Sequence, residues 1–137
     1  ETANGSFPHA AVQCMASIVS NAEVGVNYFQ VGVFIRDFTP KPMGMLEAVL
    51  SCVAKNAVDI HAGLVVVFSL SGLAANLISK YRPCVPVIVV SSSAQTLQQC
   101  NSTYALLPFA VDSLPSSKAE EQALLERVLA HAVDNDM

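Results

Sequence analysis

Apolar positions in this chain follow two rhythms, helical spacing in some stretches and short unbroken runs in others. Leu64-Val65-Val66-Val67-Phe68 and Val85 to Val90 are continuous apolar runs rich in β-branched residues, the pattern of strands covered on both faces of a parallel sheet. Between them, Ser69-Leu70-Ser71-Gly72 predicts a polar turn that opens a helix, and Pro83 and Pro86 separate that helix from the second strand. Leu64 to Ser93 therefore reads as one βαβ unit, with its turn at the carboxyl end of the first strand, where α/β proteins hold ligands. Ahead of it, Leu46, Val49, Leu50, Val53, Ala57 and Ile60 recur on one face of a helix from Met45 to His61, and Gly63 is the expected terminator. Beyond it, Ala94 to Cys100 predicts a short helix. Tyr104 to Val111 predicts a third strand, near an edge because Pro108 has no N–H for a ladder. Ser116 or Ser117 is then expected to cap a final helix running to about Val133, with Glu120 and Glu121 where the helix dipole favours acids.

The first third of the chain is predicted to be helical as well. Ser6 is positioned to cap a helix whose early proline is Pro8, and Ala10, Ala11, Cys14, Met15, Ile18, Val19 and Ala22 follow at helical spacing. From Val24 to Phe34 the pattern fits a strand or a helix weakened by Gly25 and Gly32, and continued helix is the expectation. Thr39-Pro40-Lys41-Pro42 reads as a linker. The expected architecture is a three-layer α/β/α fold with a mainly parallel sheet of about three strands, preceded by a long N-terminal helix. Right-handed crossovers place the strands starting at 64, 85 and 104 side by side and leave the first exposed at one edge.

At 137 residues the chain suits one compact domain, and its 53% apolar content against 13% charged residues disfavours disorder and points to apolar surface awaiting a partner. Lys55, Asp59, Lys80 and Arg82 interrupt the richest regions before a membrane-spanning length is reached, so a soluble protein is expected. A formal charge of -4 with no basic stripe argues against nucleic acid as a partner. Cys14, Cys52, Cys84 and Cys100 lack CxxC spacing and lie in apolar contexts, which predicts reduced, buried or half-buried thiols in a cytoplasmic protein. The abrupt start at Glu1 gives the look of an excised piece.

Candidate chemistry is sparse. His9, His61 and His131 have no metal-ligand spacing, Asp112, Asp134 and Asp136 sit near turns or the terminus, and no nucleophile with a base emerges. No catalytic residue and no metal site is expected. The Ser69, Leu70, Ser71, Gly72, Leu73, Ala74 turn is the one candidate, because helix-terminal amides and two hydroxyls converge where a phosphate could sit.

Two further segments carry a resemblance. Glu1-Thr2-Ala3-Asn4-Gly5 followed by Phe7-Pro8 resembles the ETA-x-G-x-(Y/F)-P signature that ends the catalytic barrel of pyruvate kinases. Ser71-Gly72 and Lys80-Tyr81-Arg82-Pro83 with Pro86 resemble that family's SGRSA…(K/R)YRP…P segment, and Ala94-Gln95-Thr96 continues the likeness over nearly the whole chain. The resemblance implies that residues 1–38 are the closing helix of the barrel with a connecting segment. Residues 39–137 are then a C-terminal α/β domain that binds effectors and forms tetramers. It further implies a parent enzyme that transfers phosphate from phosphoenolpyruvate to ADP with Mg²⁺ and K⁺, its catalytic residues lying upstream of Glu1, and a fragment inactive alone.

Two departures qualify the implied site. The family's turn commonly reads (T/S)-(K/N)-(S/T)-G-R-S, whereas Leu70 and Leu73 stand at the polar or basic position and at the arginine. Losing two charge-assisted hydrogen bonds, each worth roughly 1.5–3 kcal/mol, weakens a sugar bisphosphate by about two to four decades. The family's last two strands, expected after the final helix, are missing before Met137, and one of them pairs beside the strand equivalent to Leu64–Phe68. Two copies are therefore expected to associate as a dimer, through that edge or through the apolar first helix. A non-enzymatic assembly module from a diverged relative is the alternative reading.

Overall fold

The computed structural model describes residues 2 and 4–135. Its centre is β2 (Val87–Ser91), five residues all buried, lying between β1 (Val65–Phe68) and β3 (Leu106–Ala110) in a parallel sheet of order β1-β2-β3. Val65 pairs with Val87 and Val87 with Leu106, so the three strands run level and their carboxyl ends emerge together. Six helices accompany the described sheet: α1 (Pro8–Glu23), α2 (Tyr28–Phe38), α3 (Met45–Asp59), α4 (Leu73–Lys80), α5 (Ala94–Cys100) and α6 (Lys118–Asp134).

Alternation along the strands divides the core in two. Val67, Val87, Val89 and Leu106 face α3, α4 and α5, where Leu50, Ala54, Ala75, Ile78 and Cys100 meet them. Ile88 and Val90 face the other way, under Leu124, Val128 and Ala132 of α6, with Val66, Phe68, Leu107 and Phe109 flanking. The three-layer α/β/α arrangement follows, because each face of β2 is apolar and needs its own cover. Each fully buried aliphatic side chain stabilises by roughly 1.5–3 kcal/mol relative to exposure. Pro108 lies on β3, an edge strand of the described sheet, as its missing N–H requires.

Several local expectations are corrected. Ser6 does not cap α1: Phe7 occupies that position without a side-chain hydrogen bond, and Pro8 alone presets the first turn. The helix does not continue through 24–34. It ends at Glu23, and α2 restarts at Tyr28, where Asn27 Oδ1 accepts the Gln30 N–H at 3.0 Å; a capping side chain and Gly25 together favour the break. α3 stops at Asp59, before His61, and His61 rather than Gly63 supplies the left-handed residue, at φ 51°. The Ala62 N–H to Ala57 carbonyl and His61 N–H to Val58 carbonyl bonds close that end as a Schellman motif. Each strand begins later than its apolar run, at Val65, Val87 and Leu106. Cys14, Cys52 and Cys84 are exposed and only Cys100 is buried, because apolar neighbours in sequence do not tell which side of a helix or loop faces the core. Burial pushes the Cys100 thiol up from its ordinary value.

The proline-rich connection is packed down. Thr39 is buried, its hydroxyl donates to the Ile35 carbonyl at 2.7 Å, and the Tyr81 hydroxyl reaches Thr39 Oγ1 at 3.4 Å. Tyr81 also donates to Glu47 Oε1 at 3.1 Å, and Glu47 pairs with Lys80 at 2.6 Å, so this cluster ties the connection to α3 and α4. At α6, Ser117 is the cap: its Oγ accepts the Glu120 N–H at 3.3 Å while the Glu120 carboxylate accepts the Ser116 N–H at 2.9 Å.

Candidate functional site

The turn from Ser69 to Ala74 leaves the carboxyl end of β1 and enters α4. Ser69 is buried, and its N–H bonds the Val90 carbonyl at 3.1 Å, extending the β1–β2 ladder by one residue. Its hydroxyl then accepts the Gly72 N–H at 3.1 Å, and the Ser71 hydroxyl accepts the Leu73 N–H at 3.4 Å. Both hydroxyls are thus engaged with amides of the turn itself. Gly72 adopts φ +76°, the left-handed conformation that α4's start requires, and a Cβ there would stand 3.5 Å from Thr96 Cγ2. Leu70 and Leu73 project into solvent, 54% and 55% exposed.

The sequence reading missed two participants. Thr96, on α5, donates its hydroxyl to the Leu70 carbonyl at 2.7 Å, a contact across 26 residues with no local signal. At the same edge of the sheet, an open depression of about 450 Å³ follows β3 and is lined by Asp112, Ser113, Glu120, Leu124 and Arg127. Arg127 is a cation that the turn lacks, and Asp112 and Glu120 offset its field. The Glu120 carboxyl is held below its usual range chiefly by the Ser116 backbone N–H, so it is charged at neutral pH.

The histidines stay apart. All three are exposed; His131 packs edge-on against Phe109 at 5.3 Å. Asp112 and Asp134 are exposed, and Asp136 lies outside the described residues. Among the described residues no three His, Cys, Asp or Glu side chains converge as a metal would need. A separate crevice between α2 and α3, lined by Tyr28, Arg36, Lys55, Tyr81 and Arg82, holds about 30 Å³, room for a water or two. No described helix is long and apolar enough to cross a membrane.

The fold and its carboxyl-edge turn define the class: an open, parallel α/β domain with helices on both faces. Residues 47–137 match the family model described as "Pyruvate kinase, alpha/beta domain", and the chain belongs to that family. It is 34% identical to the pyruvate kinase of Dictyostelium discoideum over 134 residues, covering 96% of this chain and 26% of that protein. It is 36% identical to the pyruvate kinase of Eimeria tenella over 111 residues, 81% of this chain and 21% of the relative. The crystal structure of Cryptosporidium parvum pyruvate kinase superposes with a TM-score of 0.91 at 28% identity, covering 99% of this chain and 27% of that one. The chain thus spans about a quarter of the length of the relatives it matches.

Proposed function

We propose that this chain is the regulatory and assembly part of a pyruvate kinase. Residues 1–38 serve as the closing barrel helix with its connecting segment, and 39–137 as the effector-binding and oligomerisation domain. The observation that carries the reading is the match of the α/β unit over residues 47–137, joined to a fold likeness that extends through α1. In the parent, phosphate passes from phosphoenolpyruvate to ADP in the cytoplasm, with Mg²⁺ and K⁺ held by other segments. The present residues contribute binding and contact surfaces to a homotetramer. Incubated alone with phosphoenolpyruvate, ADP, Mg²⁺ and K⁺, the chain produces no pyruvate above the blank; turnover would overturn the assignment.

The Ser69–Ala74 turn is the phosphate position of this reading, and its ligand is a sugar phosphate or inorganic phosphate. Binding is weak because Leu70 and Leu73 bring no charge and the Gly72 and Leu73 amides are taken by the Ser69 and Ser71 oxygens. Titration with a sugar bisphosphate is expected to move the Ser71 and Gly72 amide resonances only at millimolar ligand. No movement at those concentrations would support the second reading, a diverged assembly module, which the two exposed leucines favour.

Self-association is the other half of the proposal. α1 has no buried residue, and Val12, Met15, Ile18 and Val19 form an apolar stripe about half exposed or more. β1 pairs on one side only within the described sheet. Both features support a dimer of the chain.

A further inference from the structure

Thr96 is 3% exposed in the first turn of α5, so its hydroxyl has only protein to bond. It donates to the Leu70 carbonyl at 2.7 Å, while its methyl lies where a Cβ on Gly72 would touch it. In a trans peptide the C=O and the following N–H point in opposite directions. Drawing the Leu70 carbonyl onto α5 therefore turns the Ser71 N–H away from α5, toward solvent at the carboxyl edge of the sheet. The next two amides are taken, Gly72 by Ser69 Oγ and Leu73 by Ser71 Oγ. The Ser71 N–H has no protein acceptor among the described residues.

Thr96 is itself fixed from the central strand. Its N–H donates to Ser93 Oγ at 3.3 Å, and the Ser93 N–H donates to Ser91 Oγ at 3.1 Å, with Ser91 fully buried at the end of β2. A run of hydroxyls therefore connects the end of β2, the cap of α5 and the turn after β1.

We infer that Thr96 is the positioning residue of the turn: from α5 it aims the Ser71 amide at the anion, and so sets what phosphate affinity remains. This rests on the phosphate-binding reading of the turn. It adds that α5, and not the turn alone, fixes the geometry of the Leu70–Ser71 peptide.

The test titrates inorganic phosphate into the ¹⁵N,¹³C-labelled chain and into Thr96→Val and Thr96→Ser, following the Ser71 amide and the Leu70 carbonyl carbon. Thr96→Val is expected to raise the Kd about tenfold, the loss of one neutral hydrogen bond, while Thr96→Ser stays within about twofold. Before any ligand is added, the Leu70 carbonyl and Ser71 amide resonances should move in Thr96→Val and return in Thr96→Ser, with far-UV circular dichroism unchanged. An unchanged Kd in Thr96→Val, or ligand-free resonances that ignore the hydroxyl, would overturn the inference. If the wild-type chain binds no phosphate, the phosphate reading and the affinity role fall together. The ligand-free resonances then still decide whether Thr96 orients the turn.

Discussion

α1 and β2 are both strongly apolar in sequence, yet none of the sixteen residues of α1 is buried and all five of β2 are. The difference lies in what stands beside them. β2 has a strand on each side and a helical layer on each face, so every side chain displaces water. α1 stands clear of the two core clusters, and its stripe of Val12, Met15, Ile18 and Val19 meets solvent. Apolar content therefore measures how much surface a chain must hide, and the partner that hides it need not lie in the same segment.

The comparison breaks first at β2. Ile88 is 1% exposed under α6, and Ile88→Ala should lower unfolding stability by about 2–5 kcal/mol in urea titration. A loss near zero would mean that the sheet does not form the core described. Next comes the α6 cap that holds the cover on β2's second face. Ser117→Ala removes the acceptor of the Glu120 N–H and should cost about 1 kcal/mol by the same measurement.

A smaller effect, and one with a pH signature, belongs to the cluster joining α3 and α4. The Lys80 ammonium, and after it the Tyr81 hydroxyl, hold the Glu47 carboxyl below its ordinary value of 4.5. A carboxyl whose folded value is depressed gives its full stabilisation above the unfolded value and loses it as pH falls through the folded one. The stability advantage of the wild-type chain over Glu47→Gln should thus be present at neutral pH and shrink below about pH 4.5. The same ion pair raises Lys80 above 10.5, so its contribution is complete below that value and fades as pH rises through the folded one. A pH-independent difference would remove the ion pair from the account. Least affected is the folding of Ile18→Glu: its site is 62% exposed, and the stability change should stay within about 0.5 kcal/mol. Its effect should appear in assembly instead.

What the sequence made legible follows the same division. The βαβ unit was readable because Leu64–Phe68 and Val85–Val90 are short, unbroken, β-branched runs on either side of a polar turn, and α5 stands at Ala94–Cys100 as the pattern predicted, with its Ser93 cap seen only in the fold. The break at Val24–Asn27 was not, since Asn27 looks like an ordinary polar residue until its side chain is seen on the Gln30 N–H. The exposure of Cys14, Cys52 and Cys84 depends on which side of each segment finds a partner, and no local pattern carries that. At the candidate site the turn and its two leucines could be read directly. The engagement of both serine hydroxyls with turn amides, and the Thr96 clamp from α5, are properties of the folded geometry alone.

The central proposal is that the apolar stripe of α1 and the unpaired edge of β1 are covered by assembly. Sedimentation velocity at micromolar concentration tests it most directly. The chain should sediment as a dimer, and Ile18→Glu should return it to monomer if α1 is the contact or leave the dimer intact if the β1 edge is. A wild-type chain that sediments as a monomer throughout that range would contradict the account.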